Sequence, residues 1–259
     1  MPDAVYRLRD KKALVTGGNQ GIGQGIALRL AAEGCDVVIN FRKNRKGADE
    51  TKSQIESQGG RAVIVQADVS QIDEAQRLID EAFRSLGTLD FLVNNAGVEI
   101  DTPFLDVKAE DYFKVIAVNM TGPFFLTQFF VRKLRDAHRS GKVVNISSVH
   151  EDLPYPRFTA YGMAKGGLKM MMRTLSIELA PLGITINNIA PGAIKTPINA
   201  DLMKDEVRLK ALTANIPLAR LGEPSDVAGL CAFLLSSDAD YITGSSFIVD
   251  GGLTWNYNE

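Results

Sequence analysis

Cysteine is scarce. The 259 residues hold two, Cys35 and Cys231, far apart and without the paired spacing of a zinc site or a disulfide framework. Stability must then come from an ordinary core, which a chain of this size can build by removing roughly three-quarters of its unfolded surface from water. A reducing, cytoplasmic setting is expected. Histidine is equally sparse: His138 and His150 cannot make a histidine metal cluster, so no metal is expected, and His138 sits among charges that mark it as solvated. An excess of either charge is missing as well. Lys plus Arg total 29 against 31 for Asp plus Glu, a net charge of −2, which excludes the broad basic footprint of a nucleic-acid or anionic-membrane binder but leaves room for a small local anion site. Long apolar runs are absent. The stretch 124–131 is too short and interrupted to span a bilayer, and the opening MPDAVYRLRD lacks an apolar signal core. Nor is there a low-complexity linker, an internal repeat or a charge block that would divide the chain.

What is present is an alternation. Short apolar, β-branched runs at 13–16, 37–41, 62–66, 91–93, 143–147, 185–189 and 246–249 predict strands whose continuous hydrophobicity suits burial on both faces. Between them, amphipathic stretches at 23–33, 46–58, 74–86, 109–137, 161–180 and 225–235 predict helices, with Ser70, the Lys108–Ala109 neighbourhood and Ser225 as starting signals. The expected fold is α/β: a single doubly wound, Rossmann-type domain over 1–259, with a parallel seven-stranded sheet and helices on both faces. Ligands then belong in the crevice beyond the carboxyl ends of the strands.

The turn after the first strand reads Thr16-Gly17-Gly18-Asn19-Gln20-Gly21-Ile22-Gly23. Its glycines permit a tight turn and let backbone N–H groups approach a pyrophosphate at a helix amino terminus, although Gly17-x3-Gly21-x-Gly23 departs from the G-x-G-x-x-G fingerprint. The second strand ends Ile39-Asn40-Phe41-Arg42-Lys43, with no acid to hold the 2′-hydroxyl of NAD. Arg42, supported by Lys43 or Arg45, can instead fork a 2′-phosphate, so NADP is expected with NAD use open; a solvated basic loop is the alternative.

Tyr161 and Lys165 stand four residues apart, hence on one helix face. An adjacent ammonium stabilises a phenolate, and lowering a tyrosine by about three pH units requires roughly 4 kcal/mol of differential stabilisation. Such a tyrosine can exchange protons near neutral pH. Ser148, thirteen positions earlier at a strand end, can reach the same crevice. Asn119, inside a helical run, can link a relay water to Lys165; a satisfied core amide is the alternative.

With these residues in place the chain resembles the short-chain dehydrogenase/reductase family over essentially its whole length. The matching signatures are Thr16-Gly17-x3-Gly21-x-Gly23, Asp68-Val69, Asn94-Asn95-Ala96-Gly97, Asn119, Ser148, Tyr161-x3-Lys165 and Pro191-Gly192. The resemblance implies that Gly17, Asn19, Gln20, Gly21, Ile22, Gly23, Phe41, Arg42, Asp68, Val69, Asn95, Ala96 and Gly97 hold the adenosine and pyrophosphate side of the cofactor. By the same likeness Pro191, Gly192, Ile194 and Thr196 hold the nicotinamide side. It also implies that Tyr161 moves the proton, Lys165 lowers its pKa and holds the nicotinamide ribose, Ser148 orients the substrate oxygen and Asn119 completes the relay.

Within the family the runs 145–151, 187–194 and 196–200, together with Asp250-Gly251-Gly252, look like those of glucose 1-dehydrogenases. That likeness implies an aldose oxidised at C1, with Glu99, Ser148, His150, Arg157 and Asn199 as substrate contacts and Lys195 as a further polar group. The loop 152–157 departs from the pattern, and its Arg157 adds a cation that suits a modified or anionic sugar. Rival readings are a carbonyl reductase such as a 3-oxoacyl reductase, and a nucleotide-sensing interaction protein without turnover. The run 166–172 is apolar beyond what one helix face needs, which predicts a subunit interface; the resemblance implies a homotetramer with 246–249 in a second interface.

Overall fold

The computed structural model describes residues 7–256. Seven strands, β1 Lys12–Val15, β2 Asp36–Phe41, β3 Ala62–Gln66, β4 Phe91–Asn94, β5 Gly141–Ile146, β6 Ile184–Pro191 and β7 Ser246–Val249, form one sheet in the order β3-β2-β1-β4-β5-β6-β7. Every pairing is parallel. The order reverses at β1, so the crevice between the ends of β1 and β4 is where a ligand is expected. All seven expected strands are present, β3 and β7 with the expected bounds and the other five shifted by a residue or two at their ends.

The described residues form nine α-helices: α1 Gly21–Ala32, α2 Arg45–Ser57, α3 Ile72–Leu86, α4 Ala109–Ile116, α5 Gly122–Asp136, α6 Thr159–Leu179, α7 Ala200–Lys204, α8 Glu206–Ala214 and α9 Pro224–Leu235. Alternation along the strands builds two cores. Ala13, Val15, Val37 and Ile39 face Ile26 and Leu30 of α1 and Val227 and Cys231 of α9. Leu14, Val38 and Leu92 face Leu78 of α3, Phe130 of α5 and Met172 of α6. Cys35 and Cys231 are both buried and free, behaving as small apolar side chains. No described helix is long and apolar enough to cross a membrane.

The structure corrects the expected elements in three places. The single helix over 109–137 is broken: α4 and α5 are separated by a π turn, Ala117–Thr121. Pro123 has no N–H to give to the carbonyl of Asn119 four residues earlier, and Gly122 N–H reaches back five residues to Ala117. The helices α7 and α8 were not expected, because their few apolar residues follow no helical period; Val207 is largely exposed. The signal available was Asp205, whose carboxylate caps α8 by accepting from Arg208 N–H at 3.0 Å. Two starting signals also do other work. Ser70 precedes the N-cap residue Gln71 and donates its hydroxyl to Asp68 at 2.7 Å, and Ser225 lies inside α9, whose first turn is closed by Glu223 N–H donating to Asp226 at 2.8 Å.

Candidate active site

The turn between β1 and α1 is shaped by glycine. Gly17 has φ +62° and Gly21 φ +56°, and a Cβ on Gly23 would collide with the Gly17 carbonyl and the Asn95 amide. The first turn of α1 contains no acid and Gln20 gives it no side-chain cap, so its N–H groups remain available to an anion. Thr16 locks this turn to the segment after β4: its hydroxyl accepts from Asn95 N–H at 2.9 Å and Ala96 N–H at 3.0 Å, and Asn95 Nδ2 donates to the Thr16 carbonyl at 2.8 Å. Asn95 and Ala96 thus form one wall of the crevice. Thr196 stands opposite, where a Cβ on Gly21 would meet its side chain at 3.2 Å. This glycine-lined cradle with unspent donors fits the pyrophosphate of a dinucleotide.

At the outer end of the crevice Arg42 lies 3.6 Å from Asp68. Burial pushes the Asp68 carboxyl up, but hydrogen bonds from Ser70 and the Arg42 charge outweigh it and hold the group below its ordinary value. Arg42, Lys43 and Arg77, with Asp68, Glu74 and Glu81, border a hollow of about 590 Å³. Arg45 is paired with Asp49 at 3.0 Å, and its guanidinium carbon lies 6.0 Å from the centre of the Phe41 ring.

The inner end collects the residues of the proton-handling set. Ser148 follows β5 and caps a short 3-10 turn, Val149–Glu151, by accepting from His150 N–H at 3.2 Å. Tyr161 and Lys165 project from α6; Ser148 hydrogen-bonds the phenol, and the Lys165 ammonium lies 5.5 Å from the Tyr161 ring and donates to the Ile146 carbonyl at 2.9 Å. Burial raises the Tyr161 phenol above its ordinary value and the Glu99 charge adds to this, while Ser148 opposes it. Burial lowers Lys165 to about 8, opposed by Glu151 and Glu99. The expectation of a tyrosine lowered by its lysine is therefore corrected for the free protein: desolvation at these buried positions disfavours phenolate and ammonium alike.

Asn119 is fully buried on the π turn. Its amide donates to the carbonyls of Val98 at 2.7 Å and Val115 at 2.9 Å and accepts from Val98 N–H at 3.2 Å. Both amide protons are spent, so the expected side-chain link through water to Lys165 gives way to a clamp on the segment after β4, with the Asn119 carbonyl left without its i+4 donor.

The substrate candidates separate into two groups. Glu99 is half-buried, and burial raises its carboxyl while Lys165 pulls it back down. The His150 ring lies edge-on to Tyr161 with centroids 6.2 Å apart and stacks on Tyr155 at 5.1 Å. Nδ1 of His150 is 3.0 Å from the Leu153 carbonyl, which fixes the proton there and leaves Nε2 as an acceptor; burial keeps the ring below its ordinary pKa. By contrast, Arg157 is paired with Asp101 and is no free cation for an anionic sugar. Asn199 donates to the Ile194 carbonyl at 2.8 Å, shaping the loop after β6, and Lys195 pairs with Glu223.

The expected interface 166–172 also divides. Leu168 and Met172 are core residues, whereas Met163, Met170 and Ile177, at seven-residue spacing along α6, are exposed alongside Phe113 of α4 and Phe124 of α5.

A family described as enoyl-(acyl carrier protein) reductase matches residues 17–254. The 3beta-hydroxysteroid dehydrogenase 1 of Eggerthella lenta is 42% identical over 247 residues, 95% of each chain. The glucose 1-dehydrogenase 2 of Bacillus subtilis is 43% identical over 248 residues, 95% of this chain and 96% of its own. A solved Agrobacterium tumefaciens structure, described as a candidate 2-deoxy-d-gluconate 3-dehydrogenase with bound NADP, superposes with a TM-score of 0.89 at 38% identity, covering 96% of this chain and 98% of its own. The chain belongs to the short-chain dehydrogenase/reductase family and is an oxidoreductase.

Proposed function

We propose that this enzyme oxidises an aldose at C1 to the lactone, with NADP or NAD as cofactor and Tyr161 as the base. A bound nicotinamide dinucleotide supplies the hydride acceptor. The chain's part in holding it falls to the turn Gly17 to Gly23 and to Asn95, Ala96 and Gly97, with Phe41, Asp68 and Val69 on the adenosine side. Pro191, Gly192, Ile194 and Thr196 line the nicotinamide side. The absence of an acid at the end of β2, with Arg42 in its place, supports NADP. Among the similar proteins, the Agrobacterium tumefaciens structure holds that cofactor.

Tyr161 and Lys165 are best treated as a coupled pair that loses one proton, and the active form places that loss on the phenol and the charge on the lysine. Ser148 then donates its hydroxyl to the substrate oxygen, Tyr161 takes the hydroxyl proton as hydride leaves C1, and the Asn119 carbonyl holds a relay water on the Lys165 side.

The observation that carries the sugar reading is the pair of half-buried acceptors beside the phenol: the Glu99 carboxyl and Nε2 of His150. A buried acceptor without a donor costs about 1–3 kcal/mol, and the hydroxyls of a sugar can supply donors to both. A second reading, a 3β-hydroxysteroid, is favoured by the aromatic rim of His150, Tyr155 and Phe158, which offers apolar ring surface to a flat body. The exposed α4–α6 face, with Ile248 on β7, supports a homotetramer.

Replacing Tyr161 with Phe tests the base assignment. Turnover should fall by at least about a hundredfold with cofactor binding retained; full activity in the variant overturns it.

A further inference from the structure

A row of polar side chains crosses the carboxyl half of the sheet and has no part in the steps above. Asn94 on β4, Asn145 on β5, Asn188 on β6 and Ser246 on β7 are successive register partners. Strands buried on both faces are ordinarily apolar, so three buried asparagines in one row need a cause. The cause stands at its end. Glu151, whose side chain is 2% exposed, closes the turn that begins at Ser148.

A carboxylate only accepts hydrogen bonds, so Asn188 must turn Nδ2 toward it, at 3.2 Å. That leaves Asn188 Oδ1 for Asn145 Nδ2 at 2.9 Å, and Asn145 Oδ1 for Asn94 Nδ2 at 2.9 Å. All three amide dipoles therefore align toward one anion, and the mismatch is passed to the far end, where Asn94 Oδ1 is buried without a partner. Glu151 Oε1 takes the Ser246 hydroxyl and lies 3.3 Å from the Lys169 ammonium. Lys169 is one helical turn beyond Lys165 on the same face of α6.

We propose that Glu151 is a positioning residue of this enzyme: its buried carboxylate fixes the turn carrying Ser148 and His150 against β6, β7 and α6, and its charge sets the proton affinity of the Tyr161–Lys165 pair. The proposal rests on reading Tyr161 and Lys165 as the proton-handling pair. The charged and titratable groups facing that pair are Glu99 from the segment after β4, His150 and Glu151 from the turn after β5, and Lys169 from α6 behind Glu151; Asp101 acts on Glu99, and exposed Asp152 closes Lys169 from outside.

Two variants with opposite expected signs test it. Glu151→Gln keeps the shape and removes the negative charge, so the rising limb of the oxidation rate should move down by about one pH unit. Lys169→Met leaves the Glu151 charge uncompensated, and the limb should move up. Glu151→Asp should restore most of the parent profile. The same order should appear without turnover, in the NMR titration of the Lys165 ε-carbon, assigned against Lys165→Met. An unmoved limb and titration in both variants, with only a lower melting temperature, overturns the proposal and leaves Glu151 a structural residue. If Glu151→Gln does not fold, an unmoved limb in Lys169→Met alone overturns it. Turnover by Tyr161→Phe overturns the underlying reading instead, so the two failures are distinguishable.

Discussion

The Lys165 ammonium donates to the carbonyl of Ile146 at 2.9 Å, tying the middle of α6 to the last residue of β5 within a site that withholds most of its hydration. That single bond does not offset desolvation, and Lys165 is lowered from 10.5 to about 8. Below the folded value both folded and unfolded chains carry the proton and the folded chain bears the full cost of burying it. Between about 8 and 10.5 the unfolded chain binds the extra proton, so this group makes stability rise with pH. Lys165→Met should therefore melt a few degrees higher than the parent at neutral pH, and the difference should shrink as pH rises through that window. Calorimetry across pH checks both the sign and the window; a lower melting temperature for the variant at neutral pH contradicts it.

The same pair sets the pH dependence of turnover. Removing one proton from Tyr161 and Lys165 together creates the base, and the value about 8 marks where that proton leaves. Oxidation should accelerate as pH rises through about 8, and the reverse reduction should slow over the same interval. Initial rates in both directions over a pH series measure this, and a flat profile for oxidation contradicts the assignment.

Glu99 should act on substrate rather than on cofactor. Glu99→Gln replaces an acceptor with a group that is half donor, so KM for the sugar should rise by roughly tenfold to a hundredfold while cofactor binding is unchanged. Parallel KM measurements for sugar and dinucleotide separate these. An effect confined to the dinucleotide places Glu99 elsewhere.

Arg42 should discriminate between dinucleotides. Its guanidinium lies 3.6 Å from Asp68, close enough to be held in place but free to fork a 2′-phosphate. Arg42→Ala should weaken NADP binding by about tenfold or more and change NAD binding little. Calorimetric titration of both cofactors reads the ratio, and an equal loss for both would show that Arg42 does not face the 2′-position.

Much of the architecture was legible in the sequence because apolar, β-branched runs at 13–16, 37–41 and 62–66 leave few alternatives to a buried parallel strand. The break at Pro123 was visible as a residue but not as a break: the apolar period continues across it, and the contact by which Asn119 on the π turn clamps Val98 is a tertiary one. At the site, the glycine turn, Ser148, Tyr161 and Lys165 could be named from spacing together with the family resemblance, and the structure brings Ser148, Tyr161 and Lys165 together. Arg157 and Asn199 could not be judged that way, since pairing with Asp101 and with the Ile194 carbonyl depends on which loops meet. Glu151 lies within the run 145–151, but its proposed role depends on strand register, which brings Asn94, Asn145 and Asn188 into line with it.

The proposed reaction takes place at C1 of an aldose. Initial rates of NADP and NAD reduction with glucose, other neutral aldoses and acidic sugars, run beside a 3β-hydroxysteroid and a 3-hydroxyacyl thioester, test it most directly. Turnover of a neutral aldose with lactone as product is expected, and little with acidic sugars because Arg157 is already paired with Asp101. Silence on every aldose, with turnover of the steroid or the thioester, would contradict it.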